Sequence, residues 1–453
     1  MAPTVSDKEL QLLFKEVLRT FSIEQLEYWA VETGFMKRKT KLKPEHFLLL
    51  CSCLGESIGK KSLVQLCAQL CATFDLKLTA EGLNQRFNPQ AVKFLKKVFE
   101  SLFSKQLAMP ITEKRVFNRI RILDSTSFQL PAYYDEYKGA NESGVKIQLE
   151  YELYQSTFLH LLVQEGIASD SQYAKVIKDD IKPGDLCLRD LGYFSTENLI
   201  DIDKQGGYFL SRMKNNMKLY QQNQDGKWEK IDLIMISEKL KRGEVLELDN
   251  IKVGRWVKNP LITRVIFTKL TEEQEAKRQI HIDKKRRKGK KPLSAQKNIS
   301  INIFLTNIPQ NMVKKEDVFS IYSLRWQIEI LFKTWKSLFG IHEVKNIKKE
   351  RFECHLYGTL IQLLLCSTLA FQCRRMLYMK HQMETSEYKS ISIVKEFLPL
   401  FKEIIFNRGI IIKVCKLIYH SIKLNGKKCR RQQNSTVFDI LETAYKNYIA
   451  KAS

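Results

Sequence analysis

From the amino terminus to about residue 110, apolar residues recur at spacings of three and four, a pattern that predicts helices. "DKELQLLFKEVLRTF", "FLLLCSCLGES", "SLVQLCAQLCATF" and "QAVKFLKKVFESLF" all carry it. Between the last two lies "LTAEGLNQRFNPQ", where Thr79 can cap a short helix and Asn88-Pro89 can open the next. A compact helical unit with a capped, Arg-bearing short helix fits a helix-turn-helix reader of DNA and a plain helical bundle equally.

Near residue 116 the period changes from about 3.6 to 2. "VFNRIRILDSTSFQLP" predicts a strand ending on Asp124, followed by strands at "VKIQLEYEL" (Val145 to Leu153) and "STFLHLLVQEG". A helical piece, "SQYAKVIKDD", leads through the turn "KPGD" to a short buried strand in "LCLRDLGYFS", which carries Asp190. The helix "STENLIDIDKQ", capped by Ser195 or Thr196, and the strand "GYFLSRMKN" complete a mixed α/β order with an antiparallel part and crossovers. Residues 215 to 300 interrupt it: "LIMISEKL", "VLELDNIKVGRWVK" and "LITRVIFTKL" read as β-rich, and "TEEQEAKRQIHIDKKRRKGKKP" as charged and turn-prone. "NISINIFLTNIP" is again a strand, and a helix starts near Val318.

That helix, "IYSLRWQIEILFKTWKSLFG" from Ile321 to Gly340, is apolar except for one narrow stripe. At about 100° per residue, Tyr322, Arg325, Glu329 and Lys336 fall within an arc of roughly 60°. Trp326, Phe332 and Trp335 are expected in the core. Downstream, His355 to Cys373 runs 19 residues without a formal charge, which approaches membrane-spanning length. Its His, Gln, Ser and Thr content and the charged sequence after it predict a helix buried in protein. Residues 401 to 431 are helical and basic, with nine Lys or Arg and one Glu.

Charge changes the picture more than composition does. The 453 residues hold 75 Lys and Arg against 50 Asp and Glu, a formal charge of +25 that is the electrostatic footprint of a nucleic-acid binder. The run Lys284 to Lys291, "KKRRKGKK", suits a solvated loop or an arm contacting DNA. Ten scattered cysteines without a CxxC pair suit a reducing compartment; Cys51, Cys53, Cys67 and Cys71 are expected as buried thiols rather than zinc ligands. The first residues are acidic and lack an apolar h-region, so no signal peptide is expected.

Phosphodiester chemistry gives a reason for three separated carboxylates: two divalent ions held by hard oxygen ligands activate an attacking oxygen and stabilise the leaving one. If the strands bearing Asp124 and Asp190 are neighbours and the helix bearing Glu329 packs across their ends, the three converge. Asp179, Asp180, Asp185, Glu150 and Glu165 compete for the role, from less suitable loop or strand positions.

The spacing Tyr322-x2-Arg325-x3-Glu329-x6-Lys336 resembles the YREK motif of the IS4 family of bacterial insertion-sequence transposases, and "LDSTSFQLP", "RDLGYFS" and "FLTNIP" resemble its other core motifs, closest to its IS231-like branch. The resemblance covers about residues 116 to 375. It implies an α/β fold with a ribonuclease-H-like catalytic core interrupted by a β-rich insertion, a helical N-terminal DNA-binding domain and a helical basic C-terminal region. The expected limits are 1–112 for the DNA-binding domain, 113–214 for the first part of the core, 215–300 for the insertion, 301–375 for the second part of the core and 376–453 for the basic region.

The implied activity is metal-dependent cleavage and strand transfer at terminal inverted repeats, with Asp124, Asp190 and Glu329 as catalytic metal ligands for two Mg²⁺ ions, Mn²⁺ being able to substitute. Tyr322, Arg325, Lys333 and Lys336 are the implied DNA-binding residues. Double-stranded DNA, as terminal repeats and as target, is the implied partner, engaged by a homodimer in a synaptic complex. A bacterial cytoplasmic, nucleoid-associated protein without a membrane partner is expected. The alternatives are a nuclease of the same fold without strand transfer, or a silent DNA-binding regulator derived from a transposase. Some relatives stack a flipped base on a Trp in the strand before the Glu helix, and form a hairpin at the cut end; "NISINIFLTNIP" has no Trp, leaving Trp228 and Trp256 as substitutes.

Overall fold

The computed structural model describes residues 21–452 apart from 39, 55–56, 107–114, 141, 215–216, 255–259, 288–299 and 429–435. The predicted first helix, Trp256 and the second half of the Lys284 to Lys291 run, residues 288–291, lie outside the described residues. Five helices open the described chain: α1 (Ile23–Glu32), α2 (Pro44–Ser52), α3 (Leu63–Phe74), α4 (Ala80–Arg86) and α5 (Pro89–Ser104). Polar side chains at their starts satisfy backbone N–H groups that have no partner within the helix. Thr79 accepts from Gly82, Asn88 from Ala91, and Ser62 forms a reciprocal capping box with Gln65.

Strands β1 (Arg119–Gln129), β2 (Gly144–Glu152) and β3 (Thr157–Glu165) form an antiparallel meander, as the alternation predicts. After α6 (Asp170–Val176), β4 (Asp185–Arg189) runs parallel to β1; after α7 (Thr196–Lys204), β5 (Tyr208–Arg212) runs parallel to β4. Then follow β6 (Leu219–Gln222), β7 (Trp228–Lys230), α8 (Leu233–Lys239), β8 (Val245–Val253), β9 (Leu261–Lys269), α9 (Glu272–Arg287) and β10 (Ile301–Thr306). All ten strands join one mixed sheet in the order β3-β2-β1-β4-β5-β10-β9-β8-β6-β7. The strands of 215–300 thus extend the sheet from β10.

Two segments differ from their predicted form. "LIMISEKL" is the helix α8, because the Asp232 carboxylate accepts from the N–H groups of Ile234 and Met235 and starts a helical turn. The charged stretch after Thr271 is α9: the Thr271 hydroxyl accepts from Gln274 N–H, three glutamates lie in the first turn, where the helix dipole favours them, and Glu273 pairs with Lys277 one turn on. Local charge order decides both, which a reading by hydrophobic period alone overlooks.

The sheet is packed on both faces. Ile120 and Ile122 of β1, Leu186 and Leu188 of β4 and Phe304 of β10 face the larger core, while the alternate residues Leu123, Cys187 and Phe209 face the layer of α6 and α7. The larger core also holds α10 (Val318–Ser323), α11 (Trp326–Ser337) and α12 (Lys349–His381), followed by α13 (Glu387–Glu396), α14 (Phe401–Phe406), α15 (Ile411–Asn425) and α16 (Val437–Ala452). Helix α12 is long and apolar enough to cross a membrane, yet 89% of its most apolar stretch is buried inside the protein, packed on α2, α5, α13 and α15. At Gly358 it crosses α2 so closely that a side chain would collide with the Cys51 carbonyl.

Candidate functional site

Asp124 does not end its strand: β1 continues to Gln129, paired with β2 throughout. What ends beside it is the parallel ladder, whose last pair is Leu123 with Arg189. Asp124 and Asp190 therefore sit side by side one residue beyond the point where β1 and β4 part. Asp190 lies immediately after β4, in extended backbone, as the first residue of a 3₁₀ turn over Leu191–Tyr193.

The predicted single helix is two. Hydrogen bonds from Arg325 N–H to Tyr322 O, Gln327 N–H to Leu324 O and Ile328 N–H to Arg325 O tighten the chain to three-residue turns between α10 and α11. Below the junction, Ile328, Leu331, Phe332 and Trp335 are buried and anchor α11, Trp335 meeting Phe158 and Phe332 edge-on. Above it, Arg325 is buried at the centre of the site with its guanidinium over the Tyr322 ring.

The three carboxylates meet on that guanidinium. Arg325 Nη1 lies 3.2 Å from Asp124 Oδ2 and 3.7 Å from Asp190 Oδ1, and Nη2 donates to Glu329 Oε1 at 2.6 Å. Burial, together with the charges of Asp190 and Glu329, pushes Asp124 up to about 7, against which Arg325 and a hydrogen bond from Ser125 N–H act. Burial works against the charge on Arg325, but the acidic groups around it raise its pKa overall. A cation thus stands between three hard oxygen donors, and that donor chemistry fits divalent ions. Among the described residues no three acidic, His or Cys side chains gather around a point free for a metal, because Arg325 fills the centre.

The DNA-binding candidates divide. Lys333 is on the exposed face of α11. Lys336 is held inward, its ammonium donating to Ser127 O at 3.0 Å and its pKa lowered by burial. Tyr322 is buried against Phe304, at 5.2 Å between ring centroids, and its pKa is raised by that burial. Trp326, expected in the core, is instead 52% exposed, because it lies on the face of α11 that carries Glu329, Ile330 and Lys333 at helical spacing, away from the buried Ile328, Leu331 and Trp335. Trp228 lies on β7, the far edge strand, seven strands from β1 or roughly 34 Å at about 4.8 Å per strand, so within one chain it is remote from Asp124.

Three of the five competing acidic residues are engaged elsewhere. Glu150 and Asp185 are buried and pair with Arg121, whose guanidinium contacts Glu150 at 2.6 Å and Asp185 at 3.4 Å; Arg119 also pairs with Asp185 at 2.5 Å. Asp180 pairs with His160 at 2.6 Å. Cys51 and Cys53 are buried as expected, but Cys71 is exposed, and every cysteine among the described residues is a free thiol.

An aspartate within β1, a second just beyond the neighbouring strand β4 and a glutamate on α11 thus meet beside a mixed sheet, as the resemblance to the transposases implies. Residues 116–365 match the family described as transposase DDE domain, and the chain belongs to that family. Within it, the chain falls with the insertion-sequence transposases of IS231 type. It is 40% identical to the transposase for insertion sequence element IS231C of Bacillus thuringiensis subsp. berliner and 39% identical to that for IS231E of Bacillus thuringiensis subsp. finitimus, each alignment covering 96% of both chains. It is 35% identical to the transposase for IS1151 of Clostridium perfringens, over 96% of this chain and 97% of that one.

Proposed function

We propose that the protein is a cut-and-paste DNA transposase that binds the terminal inverted repeats of its element, cleaves them and joins the freed 3′ ends to target DNA. The observation that carries this reading is the meeting of Asp124, Asp190 and Glu329 on one buried cation, Arg325. The order β3-β2-β1-β4-β5, antiparallel then parallel, supports a ribonuclease-H-like core with 215–300 as its insertion, and the helical segment before it, 1–112, is read as the DNA-binding domain. Asp124, Asp190 and Glu329 would hold two Mg²⁺ ions, which supply an activated attacking hydroxyl and charge stabilisation for the leaving oxygen.

The remaining residues bind and orient DNA. Arg325 is suited to a bidentate grip on phosphate once it leaves the carboxylates, and Lys333 offers an exposed point charge on the same side. The exposed Trp326 gives a stacking face for a base next to the carboxylates. Tyr322 supports Arg325 from beneath, and Lys336 fixes α11 to β1 at Ser127. Two ends must be cut together, which favours a homodimer in a synaptic complex.

The test is incubation of the purified protein with Mg²⁺ and DNA carrying the repeats that flank its gene. Cleavage followed by strand joining supports the transposase, cleavage alone supports a nuclease of the same fold, and binding without cleavage even in Mn²⁺ supports a silent regulator. Binding of those ends should weaken steeply with salt, log affinity falling by about 0.9 per phosphate neutralised for each tenfold rise in salt. A flat salt response would contradict the electrostatic role given to the +25 charge.

Metal binding should also depend on pH. Asp124 titrates near 7 in the folded, metal-free protein against an ordinary value of 3.8, so this group lowers stability progressively as pH rises from about 4 to 7. A divalent ion must displace its proton, so Mn²⁺ affinity is expected to rise as pH passes through 7. An affinity constant between pH 6 and 8 would remove Asp124 from the ligand set.

A further inference from the structure

The ladder between β1 and β4 ends one residue before both aspartates, so the backbone pairing does not itself fix the spacing between Asp124 and Asp190. A polar cluster on the opposite face of the sheet links the two. Its centre is Asp170, the first residue of α6. Asp170 Oδ1 accepts from Ser125 Oγ at 3.2 Å, from Gln148 Nε2 at 2.9 Å and from Lys146 Nζ at 3.1 Å.

Ser125 is the residue after Asp124, and Gln148 is its register partner on β2. The other end of the Gln148 amide accepts from the Tyr193 hydroxyl, and Tyr193 closes the 3₁₀ turn that starts from Asp190. Gln148 and Tyr193 are fully buried, and Tyr193 packs with Leu123, Tyr173 and Ile177. Within the same turn, Gly192 lies against Asp170: a Cβ there would come within 3.0 Å of Asp170 Oδ2. One carboxylate therefore reaches the segment after Asp124 directly, and the segment after Asp190 both by contact and through Gln148. Lys146 balances its charge, so the cluster persists without a metal.

We propose that Asp170 is a positioning residue which, through Ser125, Gln148 and Tyr193, sets the spacing of Asp124 and Asp190 and thereby the affinity of the site for divalent cations. The inference rests on the reading of those two aspartates as metal ligands. Groups that orient metal ligands from behind typically change metal affinity by about 10- to 100-fold when removed. Asp170→Ala is expected at that level. Tyr193→Phe deletes only the hydroxyl link and is expected to weaken binding severalfold. Asp170→Asn keeps an oxygen to accept from Ser125 and Gln148, and should restore binding to within about threefold of wild type.

The experiment is Mn²⁺ titration of the full-length protein, without DNA, followed by electron paramagnetic resonance of the free ion. Wild type, Asp170→Ala, Asp170→Asn, Tyr193→Phe and Asp190→Asn are compared, with metal-free thermal melting in parallel. Weakened binding in Asp170→Ala and Tyr193→Phe, with Asp170→Asn near wild type, supports the proposal. If Asp170→Ala melts much earlier than wild type, Tyr193→Phe decides, and wild-type Mn²⁺ binding there makes the cluster merely structural. Wild-type binding in Asp170→Ala while Asp190→Asn has lost it overturns the positioning role and leaves the metal site standing. Failure of wild type to bind Mn²⁺, or equal binding by Asp190→Asn, overturns the metal reading and this inference with it.

Discussion

Glu329→Gln is expected to abolish strand cleavage and joining while leaving binding to uncut ends within about twofold of wild type. Loss of one electrostatic group aimed at the reacting centre costs about 4 kcal/mol of transition-state stabilisation, or about a thousandfold in rate. A ligand shared by a metal pair should cost at least that. The substitution is mild structurally: the Glu329 side chain is 52% exposed, and Gln keeps an oxygen to accept from Arg325. Its ion pair with Arg325 is one helical turn apart and half in water, so its removal should change stability by less than about 1 kcal/mol. A gel assay of cleavage and joining in Mg²⁺ and in Mn²⁺, beside a mobility-shift assay of end binding, separates chemistry from recognition. Cleavage retained by Glu329→Gln would take this carboxylate out of the metal site.

Arg325→Ala is expected to have the second largest effect, and the effect should have two parts. Without the guanidinium, Asp124, with a side chain only 15% exposed, loses the cation that opposes its burial, so the metal-free variant should melt well below wild type. Breaking a buried pair typically costs about 3–5 kcal/mol; the half-exposed Asp190 and Glu329 bring the expectation toward the lower end. The loss should be larger at pH 8 than at pH 5, because protonated Asp124 does not need a counter-charge. Mn²⁺ should restore more of the melting temperature in the variant than it adds to wild type, since one cation then replaces another. The second part concerns DNA: binding to pre-cut ends should fall more than in a control lacking a remote surface charge such as Lys241. Equal losses in the two variants would reduce Arg325 to a packing residue.

The two experiments test different properties of one arrangement. Glu329 is half-exposed and expected to matter little for folding, whereas Arg325 is buried and faces all three carboxylates. Exchange of Arg325 for divalent ions would free the guanidinium for a phosphate at the step that needs it, linking metal occupancy to engagement of the cut end.

Much of the site is legible in the sequence because the residues that carry it belong to short, ordered patterns. The period-2 strands, the buried strand before Asp190 and the polar stripe from Tyr322 to Lys336 follow from local side-chain alternation, and their order along the chain already brought out the resemblance to the transposases. The charge of +25 is likewise a property of composition alone. Even the burial of α12 is anticipated by the polar residues within its apolar run.

Tertiary structure decided what depends on register and on contacts far apart in the chain. Asp124 owes its place to where the parallel ladder with β4 stops, since its own strand runs on to Gln129. That three carboxylates share Arg325 depends on contacts across about 200 residues of sequence, between β1 and the start of α11. Trp326 is exposed because it begins α11 on the face shared with Ile330 and Lys333, one helical turn and two turns on, a placement the helical period itself carries but the preference of Trp for the core obscures. Asp170 gives no signal of its own in the sequence: it is one acidic residue at a helix start, and only the packing of α6 behind β1 and β2 brings it to Ser125 and Gln148. Local pattern selects elements, because hydrogen bonding and side-chain alternation are local; which polar groups meet is settled by the pairing of strands and the burial of helices on them.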